Sequence, residues 1–130
     1  MSPTSLAEAQ NEINRQHAQL AIQLDELAGM LLDVTHRQGV AERLRDLLVD
    51  VGLHFGFEEL VMQEHGYAQF EHHRRQHIGI MTELAQLLDK VQDMVDPAKA
   101  VRCVDFLAHW YRQHVAHSDQ SLLDWLETQS

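Results

Sequence analysis

The sequence has a single cysteine, Cys103, so it cannot close a disulfide within itself, and nothing in it asks for an oxidising compartment. Two prolines and six glycines leave few enforced turns, and β-branched residues rarely run together, which argues against sheet and for helix. Basic residues are scarce: 10 Lys and Arg against 20 Asp and Glu give a formal net charge of −10. Phosphate backbones and anionic membrane surfaces are gripped by clustered Lys and Arg, so neither nucleic acid nor membrane is an expected partner. The acidity is accounted for by solubility, with compensation of bound cations as the alternative. No apolar run reaches the length of a membrane span, and the N-terminus lacks the basic and apolar regions of a signal peptide. A cytoplasmic protein with one domain over residues 1–130 is expected.

What is abundant is histidine, 10 residues spread along the chain rather than gathered in a tract. Apolar residues recur in alternating steps of three and four, the seam pattern of packed helices. A first helix is expected over 5–35, with Thr4 or Ser5 as N-cap and Glu8 completing a capping box. Its seam is Ile13, His17, Leu20, Leu24, Leu27 and Leu31. After a turn at Gln38-Gly39, a second helix runs to His65, with Gly66 ending it. Its seam is Val40, Leu44, Leu47, Val51, His54, Glu58, Val61 and His65. A third covers 68–95 with the seam Phe70, His73, His77, Ile80, Leu84, Leu87, Val91 and Met94. Asp96-Pro97 opens a fourth, which runs to Ala116 through Ala100, Cys103, Leu107, Trp110 and His114. A short helical segment around 122–126 is expected to cover one end. Four helices with short turns and seams of this kind predict an all-α, up-down-up-down four-helix bundle.

Five histidines and a glutamate occupy seam positions where leucine would be expected: His17, His54, Glu58, His73, His77 and His114. Counted back or forward from the intervening turns, each helix delivers its seam histidine to a similar height. Burying so many polar groups unpaired would cost on the order of 1–3 kcal/mol each. A metal centre satisfies them together. Asp119 follows His114 by five residues, about 140° away on a regular α-helix. If it joins the layer, the helix must break or change pitch near His117-Ser118; otherwise it caps the following segment.

Five imidazoles and two carboxylates are too many ligands for one ion. The usual cysteine and His-Glu-x-x-His zinc patterns are missing, as is the all-oxygen ligation of calcium or magnesium. Imidazole with carboxylate suits iron first, then manganese, zinc or copper.

The blocks His54-Phe55 with Glu58-Glu59 and Met62, Gly66-Tyr67 with His73 and His77, and Trp110 with His114 and Asp119, preceded by Gln16-His17, resemble the hemerythrin-domain family in its single-domain bacterial form. The resemblance covers nearly the whole chain. It implies a non-haem di-iron site in the bundle core. His73, His77 and His114 would hold one iron and His17 and His54 the other. Glu58, Asp119 and an oxo or hydroxo group would bridge them. The second iron is then one ligand short, and dioxygen would bind there. The implied function is reversible dioxygen binding for storage, delivery or scavenging, by a protein that is not an enzyme. The alternatives are an oxygen- or redox-sensing signalling domain, or a di-iron enzyme acting on peroxide or nitric oxide. Phe55, Trp110 and Tyr111 would wall the ligand pocket. Two positions depart from the family's habit: Asn14 stands where Asp is frequent, and Tyr111 where Leu usually follows the tryptophan. His36, His65, His72, His109 and His117 are expected to be ordinary surface or bundle-end residues.

Overall fold

In the computed structural model the described residues are 5–31, 37–92 and 97–129, with the side chains of 31, 37, 38, 91, 92, 97–101 and 103 outside the description. The first helix, α1 (Leu6–Leu31), starts where Ser5 Oγ accepts a hydrogen bond from the Glu8 backbone N–H at 3.2 Å, so Ser5 is the cap. The second, α2 (Arg37–His65), contains Gln38 and Gly39, which were expected to turn. The reason is packing: the Met30 methyl of α1 lies 3.1 Å from where a Cβ on Gly39 would sit, so this glycine admits a close helix crossing. The connection between α1 and α2 falls in 32–36, outside the described residues.

Gly66 ends α2 as expected, with φ +71°. The Tyr67 N–H reaches back to the Met62 carbonyl at 2.9 Å and the Gly66 N–H to Gln63 at 3.4 Å, the paired bonds of a Schellman close. The third helix, α3 (Phe70–Gln92), begins two residues later than the spacing suggests, because the chain is still turning through Gln69. The Asp96 cap, with 93–95, lies outside the described residues, and α4 (Pro97–His114) has proline as its first residue. Five residues in a π-helical turn, Val115–Asp119, then lead without a break into α5 (Gln120–Thr128).

No strand occurs among the described residues. Each long helix packs against its neighbours in order, and α4 returns to α1, closing a four-membered ring; α5 lies against α1. The buried residues divide into two apolar clusters. One holds Leu20, Leu24, Leu44, Leu47, Val51, Phe55, Ile80, Leu84, Leu107 and Tyr111 with their neighbours. The other holds Ala9, Ile13, Val61, Met62, Leu122 and Leu126. Along the chain the polar seam residues mark the passage from one cluster to the other: His17 stands between Ile13 and Leu20, Glu58 between Phe55 and Val61, His73 and His77 between Phe70, packed on the second cluster, and Ile80, and His114 and Asp119 between Tyr111 and Leu122. The sequence therefore builds a wet-chemistry layer between two dry ones.

On α4 the buried face is Val104, Leu107, Ala108, Tyr111 and His114. Trp110, expected on that seam, is only partly buried, and its ring closes on Gly79 of α3, 3.0 Å from a would-be Cβ. Among the described residues, no helix is long and apolar enough to cross a membrane.

Candidate metal centre

The layer gathers one or two donors from each helix. His17 comes from α1, His54 and Glu58 from α2, His73 and His77 from α3, His114 from α4, and Asp119 from the turn that follows. The spacing of four within His54/Glu58 and His73/His77 puts each pair on one helix face. His114 and Asp119 are five apart, and the π turn makes up the difference by carrying more residues per turn than an α-helix, so both point inward. His117-Ser118, where a break or a change of pitch was expected, lies within that turn, and the change is one of pitch.

All seven side chains meet. Glu58, His73, His77, His114 and Asp119 each offer an atom within 4.8 Å of every other, and so do His17, His54, Glu58 and Asp119. The two groups share both carboxylates. His73 Nε2 stands 2.7 Å and His114 Nε2 3.0 Å from Asp119 Oδ1, while His77 Nε2 is 3.0 Å from Glu58 Oε1. On the other side His17 Nε2 is 2.8 Å from Asp119 Oδ2 and 3.4 Å from Glu58 Oε2, and His54 Nε2 is 3.5 Å from Glu58 Oε2.

His17 Nε2 and Asp119 Oδ2 form a hydrogen bond, but for the other donors proximity is not hydrogen bonding. The Nε2 atoms of His54, His73, His77 and His114, both Glu58 oxygens and Asp119 Oδ1 are buried and have no partner aligned as a hydrogen bond. Buried polar atoms in such numbers are rare unless something else satisfies them. Five imidazole nitrogens and two carboxylates facing one centre have the chemistry of a pair of cation sites, three histidines on one and two on the other, with the carboxylates between. The residues fit the group that the sequence implied.

The surroundings orient the ligands. His54 Nδ1 donates to Gln16 Oε1 at 2.6 Å, which leaves Nε2 with its lone pair toward the centre. Gln16 Nε2 in turn donates to Glu12 Oε1 at 2.9 Å, and Glu12 also accepts from Arg15. His77 Nδ1 has the Glu59 carboxylate 3.6 Å away, and its ring lies flat on Phe55, centroids 3.8 Å apart and planes within 5°. In the sequence Gln16 and Glu59 stand only as parts of the Gln16-His17 and Glu58-Glu59 blocks. Their signal is positional: each neighbours a ligand in sequence and faces the ligand of the adjoining helix.

Ionisation follows from burial and pairing. Burial alone would lower His17 and His73, but their approach to Asp119 and Glu58 outweighs it and raises both to about 9. Burial dominates at His54 and pulls it below the ordinary imidazole value. For Glu58, burial and the Asp119 charge push upward, yet His17, His73 and His77 hold it below the usual carboxylate range. For Asp119, burial again opposes ionisation and is overcome by His114, His17 and His73. Both carboxylates are therefore anions at neutral pH, ready to face cations.

Of the proposed pocket residues, Phe55 and Tyr111 are buried on the layer's apolar side, while Trp110 lies between α3 and α4. His72, His109 and His117 are exposed, and His117 pairs with Gln113 at 3.1 Å. His65 is half-buried. His36 is outside the described residues.

Comparison with known proteins agrees with this arrangement. The family model of the hemerythrin HHE cation-binding domain matches residues 8–126. No curated protein and no solved structure matches the chain.

Proposed function

The chain belongs to the hemerythrin HHE cation-binding domain family, and from that premise we propose that it holds two iron ions and binds dioxygen reversibly. The observation that carries the reading is the pair of donor groups sharing Glu58 and Asp119. Glu58 and Asp119 would be shared by two ions, and such a pair would supply two electrons to dioxygen. Iron is favoured over softer-liganded metals by the imidazole and carboxylate donors. Five neutral imidazoles to two anions place less negative charge on the metals than carboxylate-rich sites do, and that favours holding a ligand over oxidising a substrate.

The protein's own part is to bind, shield and orient. His73, His77 and His114 would hold one ion and His17 and His54 the other, and the side with fewer histidines would leave room for an outside ligand. Phe55, packed flat on His77, and the apolar cluster above it keep water from that side. Gln16 fixes the proton of His54 on Nδ1. No step requires a residue to act as acid or base on a substrate, and we propose binding without turnover.

The test is to load the protein with ferrous iron under anaerobic conditions, count metals, admit air and then remove oxygen. Two irons per chain, with a visible absorption band that comes and goes over repeated cycles, is the expected result. Permanent oxidation with no reversible band would replace carriage by sensing or enzymology. Fewer than two metals at saturation would end the two-ion reading.

A further inference from the structure

Tyr111 Oη is buried and has no hydrogen-bond partner among the described residues. The residue is 6% exposed and sits in the apolar cluster that also contains Phe55. It lies one helical turn before His114 on the same face of α4. Phe55 is stacked on His77 and lies 5.9 Å from the His114 ring, so this cluster borders the metal layer directly. A phenol in an apolar wall is costly unless its hydroxyl is used, and phenylalanine would fill the same space without that cost. Burial, with the Glu58 and Asp119 charges within electrostatic reach, raises the phenol above its ordinary value and keeps it a protonated donor.

We propose that Tyr111 Oη donates a hydrogen bond to a small ligand held at the metal pair, and that the residue thereby sets which ligands are retained. Ligands whose outer atom is anionic or a strong acceptor are favoured over those with nothing to accept. Tyr111 touches the ligand and not the metals. The inference rests on the two-metal binding reading above and adds a ligand class to it.

The test compares the oxidised, metal-loaded wild type with Tyr111→Phe, using azide as the probe. Both proteins hold the same number of metals. The variant's azide Kd rises about ten-fold, the scale of one hydrogen bond to a charged acceptor. In the wild type the infrared stretch of bound azide shifts between H2O and D2O; in the variant it does not. Stripped of metal, Tyr111→Phe melts no lower than the wild type, because no bond within the fold is lost. Azide affinities within about two-fold of each other, with no isotope shift, overturn the proposal. So does a visible phenolate-to-metal absorption in the wild type, which would make Tyr111 a ligand, and so does a marked loss of stability in the stripped variant. If the dioxygen cycle succeeds while azide affinity is equal in the two proteins, only the role of Tyr111 fails. If the loaded wild type takes up neither dioxygen nor azide, the two-metal binding reading fails with it.

Discussion

His17 Nε2 lies 2.8 Å from Asp119 Oδ2, and this contact ties α1 to the turn that follows α4. His17 is also the least buried ligand: its side chain is 12% exposed, against 3% or less for the other four histidines. Removing it leaves the three-histidine group whole. His17→Ala is expected to keep one metal per chain and lose the second, with little change in fold. Metal analysis after saturation and desalting decides it; two retained metals, or none, would count against the division of ligands.

The 2.6 Å bond from His54 to Gln16 sets the tautomer and direction of a ligand ring. Gln16→Leu removes the acceptor and is expected to weaken the second metal by roughly 10–100-fold, the usual cost of losing such a support. Gln16→Glu keeps an acceptor and should restore most of the affinity. Competition against a chelator measures both, and equal affinity in Gln16→Leu would show that packing alone holds His54.

Stability should depend on pH in opposite senses with and without metal. In stripped protein, His17 and His73 titrate at about 9, above the ordinary 6.5. A raised value contributes stability fully below 6.5 and loses it as pH climbs through 9, so the melting temperature should fall across that interval. His54, with a lowered value, works the other way and costs stability only below 6.5. Glu58 and Asp119 are lowered, so their contribution persists above the ordinary carboxylate values and is lost only under strong acid. Metal ligation needs deprotonated imidazoles, so the loaded protein should instead gain stability from pH 5 toward neutrality. Thermal melts of both forms across pH 4 to 10 test the crossing.

Gly66 adopts φ +71°, and no atom lies within 4 Å of where its Cβ would sit. The cost of Gly66→Ala is therefore conformational and not steric, about 1 kcal/mol. Urea unfolding should show a lower midpoint at an unchanged slope. A midpoint equal to the wild type would mean that the close of α2 relaxes to negative φ at no cost.

The helices and the inward placing of His17, His54, Glu58, His73, His77 and His114 could be read from the sequence because burial obeys a period, whereas Asp119, five residues after His114, is off that period, and only the resemblance made it a ligand. His17 falls between Ile13 and Leu20 as a leucine would, and the same holds for His54 between Val51 and Glu58. Periodicity cannot choose between adjacent residues near the edge of a face, which is why Trp110 was placed where Tyr111 is buried. Nor does it distinguish a glycine that turns from one that lets two helices touch; Gly39 does the second. The polar supports Gln16 and Glu59 lie off the seam, and only the approach of a neighbouring helix reveals what they hold.

The five-residue interval from His114 to Asp119 has a meaning beyond this site. An α-helix would present a carboxylate four positions after the histidine to the same centre, so the wide turn absorbs what amounts to a one-residue insertion without disturbing the packing of Leu122 and Leu126 beyond it. Chain length and ligand position are uncoupled there. A template search that fixes the interval at four would pass over this centre, whereas a histidine and an acid five apart at the end of an amphipathic run are themselves a written mark of a local change in winding.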